Sequence, residues 1–457
     1  MRRKFVVFTA AAAVFAALAV AGLSEPAPVV LPESAARSAS GPLLGLTPAF
    51  QTLTQDQEML ARIDPSRLRA LGRPRTVVVN LTAWSYSPGR DAVALGIDPS
   101  GDGTGVARLR VLDVASLKTR KRFSVGAGSV AAIAWVGPDR ALVVVSRCCS
   151  DASLDLVVAD PFAGKVLSRA RFAGDLVRAV PAGDGLAVLV APTNAIGVAR
   201  LLVLDATGRV QAVPLTRIEA GWLRTGPDDA GEMPVVAQNV PGLAADGTGT
   251  RAYVVSGSGL TAEVDLRSLA VGYHTPVQPA SLLGRASEFL QPVAEAKGVD
   301  GPSREARWVG GVLVVTGTNE QGYSDAHGNR QFRSSPSGLQ LIDTSTWAAR
   351  MLDPGATRAV IAGDSLLATG ESWGTESAVQ SGMGLSAYGF DGRLRFHDFG
   401  SQAAYVILAI GGRAFVSPAI RSVTRIVDVA SGRIVGRRRA PVPRVLFVPS
   451  GPVPSGP

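Results

Sequence analysis

The stretch LVVADPFAGKVLSRARF (156–172) is an apolar run that ends in an aspartate, turns within a few residues and resumes as a second run. β-Branched residues and Leu dominate both runs, as extended strands prefer. Asp160 suits the corner, because an Asp carboxylate accepts hydrogen bonds from the backbone amides that follow it. Gly164 suits the exit, because without a Cβ it takes a positive φ freely. The stretch is therefore a β-hairpin. Six further stretches repeat it: 109–125, 201–215, 261–277, 339–353, 385–399 and 424–439. Their aspartates, with Asp160, are Asp113, Asp205, Asp265, Asp343, Asp391 and Asp428, at successive spacings of 47, 45, 60, 78, 48 and 37 residues. They read as turn formers, not as catalytic groups.

Two more short apolar segments precede each hairpin. SVAAIAWVG (129–137) and DRALVVVSR (139–147) stand before Asp160, and ATRAVIAG (356–363) and SLLATG (365–370) before Asp391. TAWSYSP (82–88) and DAVALGID (91–98) complete the first copy, and VAQNVPGL (236–243) and TRAYVVSG (250–257) the fourth. A four-strand unit repeated at this period marks a β-propeller. The expectation is all-β: seven four-stranded antiparallel blades at equivalent aspartates. For ring closure, both TVVVNLT (76–82) and PRVLFVPS (443–450) offer an extra strand.

The pattern resembles the YVTN/WD40-like superfamily of seven-bladed propellers, common among bacterial extracytoplasmic proteins. No copy carries the Trp-Asp dipeptide of WD40 blades. ADPFAGKVL (159–167) is also similar to the repeat motif of quinoprotein dehydrogenases and of outer-membrane assembly propellers. Those repeats close on a docking Trp. Leu167 or Ser168 stands there instead, which argues against a pyrroloquinoline quinone enzyme.

Of the 457 residues, 46% are hydrophobic, with 51 Gly and 30 Pro, as many strands joined by tight turns require. Only 18% are charged, which excludes a disordered chain. The amino terminus looks like an address. Met1-Arg2-Arg3-Lys4 is basic, and residues 5–23 form an unbroken apolar run. Ala19-Val20-Ala21 fits the small-x-small rule for signal peptidase, leaving a mature chain from Gly22. The run is also long enough for an uncleaved anchor, although its alanines favour removal. Arg2-Arg3 resembles the twin-arginine export signature as well. Either way the expected location is extracytoplasmic.

Residues 24–50 read as a Pro/Ala/Ser-rich tether and 51–75 as a short helical segment. The propeller is expected over 76–450, interrupted by a helical insertion at 278–303, with a disordered tail at 451–457. Net charge is +9, or +6 without Arg2, Arg3 and Lys4. Arg437-Arg438-Arg439 fall on an outer strand, where edge charge discourages aggregation.

The chemical inventory is thin. His274, His327 and His397 lie in three different repeats, and there is no HExxH pair, no Gly-x-Ser-x-Gly elbow and no phosphate-binding loop. Asp98, Ser100 and Asp102 match half of a calcium loop, but its twelfth position is Leu109, so no metal site is expected. Cys148-Cys149 are the only cysteines, either a strained vicinal disulfide or two thiols. No catalytic residue and no cofactor are assigned.

Loop length gives the one positional clue. Connections between second and third strands open on one face of the ring. Two neighbours there are long: 318–338 and 371–384. They carry Tyr323, Asp325, His327, Asn329, Arg330, Phe332, Glu371, Trp373 and Glu376, and aromatics among polar groups suit recognition. The leading expectation is a monomeric binding or scaffolding module for a protein or a cell-envelope polymer. It excludes nucleic acid and meets the membrane only through its amino terminus. The alternative is an envelope glycan hydrolase or lyase using acidic residues at the mouth, with Glu371 and Glu376 as the pair.

Overall fold

The computed structural model describes residues 43–52, 55–64, 69–79, 81–89, 91–98, 105–147, 152–224, 235–277, 300–324, 330–374, 381–418, 423–438 and 444–447. The expected export segment, the helical insertion apart from its last residues, the cysteine pair and the tail lie outside them.

The chain forms a closed β-propeller of eight blades, one more than the repeat count predicts. From the inside of the ring outward, blade 1 holds Leu81–Tyr86, Ala92–Ile97, Val106–Asp113 and Thr119–Ala127. Blade 2 holds Ser129–Trp135, Ala141–Arg147, Ser153–Asp160 and Lys165–Ala173. Blade 3 holds Asp175–Ala182, Gly185–Ala191, Ile196–Leu204 and Val210–Arg224, with Val235–Asn239 as a fifth strand. Blade 4 holds Gly242–Ala245, Arg251–Val255, Thr261–Asp265 and Val271–His274. Blade 5 holds Gly301–Val309, Val312–Ser324, Leu339–Asp343 and Ala349–Asp353. Blade 6 holds Arg358–Ala362, Ser365–Gly374, Ser381–Gly389 and Leu394–Asp398. Blade 7 holds Ala404–Ile410, Arg413–Pro418, Thr424–Asp428 and Ile434–Arg438.

Blade 8 closes the ring. Its inner strand is Arg444–Phe447, and its other three are Leu43–Thr52, Gln55–Asp64 and Arg69–Val79. Both candidate closure segments thus contribute, one innermost and one outermost. The expected helix at 51–75 is a hairpin instead, and the tether ends before residue 43. Gln, Glu, Met and Ala favour a helix at 55–64, but burial overrides propensity here. Leu60 packs with Leu44 against blade 1, while Ala61 and Ile63 pack against Leu408 and Phe415 of blade 7. That alternation of faces is the two-residue period of a strand. A second correction concerns VAQNVPGL: its first residues form the fifth strand of blade 3, and only 242 onward enters blade 4.

Each seam between neighbouring blades is filled by its own apolar cluster, eight in all, and a closed ring of eight blades requires eight. Each fully buried Val, Leu or Ile in such a seam contributes about 1.5–3 kcal/mol.

The outer hairpins share one turn. In blades 1, 2, 4, 5 and 7 the amide four residues after the Asp donates to the Asp carbonyl at 2.8 Å. The donors are Leu117, Gly164, Leu269, Trp347 and Gly432, with φ of 57°, 73°, 60°, 58° and 73°. The carboxylate caps the turn from inside, as where Asp160 Oδ1 accepts the amides of Phe162 and Ala163 at 3.0 and 2.7 Å. Blade 3 uses a shorter version closed from Gly208 to Asp205. Blade 6 departs: Gly389 takes the corner, and Asp391 lies two residues further on. Six of the seven aspartates are therefore equivalent corners, not all seven.

Candidate functional site

The unusual feature of the ring is a canopy raised by blades 5 and 6. The second strand of blade 5 continues to Ser324 and returns through Arg330–Pro336, paired without a bulge from Thr318↔Pro336 to Ser324↔Arg330. The second strand of blade 6 likewise runs on to Gly374 and pairs with Ser381 and Gly382. The two arms are joined: Arg333 pairs with Gly374 and Ser334 with Trp373. The long segments singled out in the sequence are thus neighbours, and they form one antiparallel sheet instead of two loops.

Strand register sorts the positions. Cross-strand partners share a face and alternate residues change face. Glu320, Ser334 and position 373 lie on one face, and Gln321, Arg333, Gln331 and position 323 on the other. Ser334 is buried, whereas Gln321 and Arg333 are exposed, so the first face is the underside and the second faces solvent. Tyr323 and Trp373 therefore occupy opposite faces. Arg330 falls with the underside set. Asp325, His327, Asn329 and Glu376 lie in the tips, outside the described residues. Arg333 and Gln321, prominent on the outward face, were not selected from sequence; strand alternation back from Tyr323 would have found both.

Beneath the sheet the polar groups are held closely. The Ser334 hydroxyl donates to Glu320 Oε1 at 3.1 Å, while Glu320 Oε2 is buried without a partner. Burial pushes the Glu320 carboxyl above the ordinary range. Arg304 anchors the root of the arm, donating to the carbonyls of Thr318 (2.8 Å) and Gly257 (3.0 Å) and to Asn319 Oδ1 (2.8 Å). Desolvation brings its guanidinium down to about 10. Glu371 accepts a hydrogen bond from the Tyr405 hydroxyl of blade 7, and the Arg358 guanidinium lies 5.8 Å from that ring. The Glu371–Glu376 pair of the alternative reading cannot be assembled from the described residues, and Glu371 is engaged at the rim. Asp98 is buried, and no group of three potential metal ligands occurs among the described residues.

No family model matches the chain, and no curated protein matches its sequence. The fold matches 1030 solved chains, a breadth that selects no function. One is the dihydro-heme d1 dehydrogenase NirN in complex with DHE, 11% identical, covering 88% of this chain and 74% of that one at a TM-score of 0.51. Others are the WD40 domain of Toxoplasma gondii coronin (13% identical, 87% of each chain, TM-score 0.39) and BamB from Moraxella catarrhalis (13%, 75% and 81%, TM-score 0.38). At such identities the likeness is one of fold.

Proposed function

We propose that the protein is an extracytoplasmic binding module whose canopy presents its outward face to a protein partner. The observation that carries this reading is the pairing of the two arms across a blade boundary. Insertions without a role have no need of backbone hydrogen bonds to one another, whereas a recognition surface gains affinity from being ordered beforehand. Position 323 supplies an aromatic anchor, and exposed Arg333 and Gln321 beside it supply polar contacts of the kind interfaces favour. Export rests on the basic, apolar amino-terminal run.

Two measurements test the proposal. Intact-mass spectrometry of natively produced protein should give a chain beginning near Gly22 outside the cytoplasmic membrane; full-length soluble cytoplasmic protein overturns the location. For recognition, Tyr323→Ser/Arg333→Glu and Trp373→Ala variants are compared by pull-down from envelope extract and by melting. The outward pair should lose the captured protein at unchanged melting temperature, and Trp373→Ala should lower the melting temperature first. If the outward pair binds normally, the canopy is not the recognition surface.

A further inference from the structure

At the canopy end, blades 3 and 4 part to leave a cleft of about 450 Å³, within the range of about 300–1,000 Å³ that small-ligand sites occupy. A wide bulge opens it. Where the third strand of blade 3 takes one step, from Val198 to Ala199, its partner strand runs from Glu219 back to Leu215. The three extra residues reach across to blade 4. Ile218 enters the apolar cluster between the two blades, and the Thr216 hydroxyl lies 3.3 Å from that of Tyr273. The Arg217 amide donates to the same Tyr273 oxygen at 3.4 Å, and its guanidinium lies 5.3 Å from the centre of that ring. A cation so placed over an aromatic ring is held by it.

Ser256, Gly257 and Ser258 of blade 4 line the cleft as well. The two hydroxyls are bonded at 2.9 Å, and the Gly259 amide closes the turn on the Ser256 carbonyl at 3.1 Å. Arg304 holds the Gly257 carbonyl at 3.0 Å, beside the root of the canopy. Gly257 admits no side chain, because a Cβ there would lie 2.2 Å from Pro302. Pro302 and Asn239 complete the lining with Val198 and Glu219, and the Val240 amide ties their strands by donating to the Pro302 carbonyl at 2.9 Å. Strand register agrees: Val198 pairs with Glu219 and Gly221 with Asn239, so Val198, Glu219 and Asn239 share one face. Asn239 Oδ1 is buried without a hydrogen-bond partner among the described residues, whereas buried acceptors are ordinarily satisfied.

The lining carries one cation, Arg217, and one carboxylate, Glu219, and neither forms an ion pair among the described residues. Three hydroxyls and an amide outnumber them. A hydrocarbon would leave these groups unmatched, and a multiply charged anion would be repelled by Glu219. A ligand hydroxyl both donates and accepts, so it can meet every one of them. We propose that the cleft is a saccharide subsite, with Arg217 donating to sugar hydroxyls and Glu219 accepting from them. It shares no residue with the outward face of the canopy, so either reading can fail without the other.

The test is an NMR titration of the full chain with maltose, cellobiose and N,N′-diacetylchitobiose, with L-alanine and sodium succinate as charged comparators. One disaccharide should saturate the wild-type chain. Arg217→Ala should raise the half-saturating concentration about tenfold, the usual scale for losing hydrogen bonds from a charged donor. Glu219→Gln keeps the size but removes the charge, and it too should weaken the sugar. An anionic ligand would respond in the opposite sense, and this variant remains readable if Arg217→Ala loosens the contact with Tyr273. Arg393→Ala, far out on blade 6 and 87% exposed, should match the wild type. Saturation by no disaccharide, or by a charged comparator alone, overturns the proposal. So does tighter binding by Glu219→Gln, or sugar binding that neither variant shifts.

Discussion

At one end of the ring the connections are brief and alike: two-residue turns such as Gly310–Gly311, Gly363–Asp364 and Gly411–Gly412, and the Asp-capped outer hairpins. At the other end the strands of blades 5 and 6 run on into the canopy, and blade 3 adds a fifth strand. The uniform end also joins the blades. In the outer turns of blades 1 to 7 the left-handed residue meets the preceding blade in one of two ways. Gly164 lies against Lys121 and Phe123, Gly208 against Ser168, Gly392 against Arg350 and Gly432 against Phe396. Where the turn residue is large the roles reverse: Leu117 enters the cluster of Leu44 and Leu60, Leu269 packs against the blade 3–4 cluster, and Trp347 stacks on His274 at 3.6 Å. Every such seam has a projecting side chain, supplied by one blade or by its neighbour. With one end occupied in holding blades together, variation without loss of stability is left to the other, the end at which recognition is proposed.

The largest expected effect tests the glycine type of dock. A Cβ on Gly432 would lie 2.6 Å from Phe396, and φ of 73° suits a β-branched residue badly. Gly432→Val should therefore cost about 3 kcal/mol, combining strain with overpacking. Urea denaturation reads it directly. A loss below about 1 kcal/mol would mean that the seam yields and the dock is loose.

Next comes the other type. Leu117 is 6% exposed, and Leu117→Ala should cost about 2–4 kcal/mol through the cavity it opens. Leu117→Gly sharpens the comparison, because glycine relieves the left-handed φ that alanine keeps. In the folded state it recovers part of what the lost side chain costs. If glycine proves much worse than alanine, the left-handed strain is negligible at this site. Partner capture should survive in both variants once they are folded, since neither touches the canopy.

These docks also show what sequence made legible. The hairpin aspartates and the strand spacing disclosed blades 1 to 7, because turn chemistry is local. Blade 8 was hidden although ARID (61–64) ends in Asp64, 49 positions before Asp113, within the range of the other spacings. Its helix-forming residues masked a strand whose burial depends on blades 1 and 7, which no local pattern contains. In the same way, turns with Leu117, Leu269 or Trp347 look unlike those with glycine until the preceding blade is in place. The canopy was half legible: loop length located both arms, but only pairing of Ser334 with Trp373 separated the two faces. The cleft between blades 3 and 4 was invisible, because nothing in sequence brings Arg217 and Asn239 to Ser258.

At the canopy the expected effect is smaller and of opposite sign. Burial raises the folded pKa of Glu320 above its unfolded value of about 4.3. Its contribution is therefore fully present below that value and lost as pH rises through the folded pKa, where an ionised, half-satisfied carboxylate remains buried. Glu320→Gln should gain on the order of 1 kcal/mol near pH 7 and flatten this dependence. Stability against urea measured from pH 4 to 8 decides it; a variant that tracks the wild type at every pH removes Glu320 from the account.

The smallest effect lies back at the turn end. Asp343 is held down to about 2, first by the Ser345 hydroxyl and then by the amides of Thr346 and Ser345. Unfolded, the same carboxyl titrates near about 3.9. The sign is opposite to that of Glu320: a depressed acid contributes stability above about pH 4 and loses it as pH falls towards about 2. Asparagine keeps an oxygen able to accept the same amides, so Asp343→Asn should leave neutral-pH stability almost unchanged and remove part of the acid slope. Because Asp343 is partly exposed to solvent, salt should shrink the difference further. Denaturation at pH 7 and pH 2.5, in low and high salt, separates the alternatives. An equal loss at both pH values would show that the carboxylate holds the turn by its shape and not by its charge, and that asparagine does not reproduce that shape.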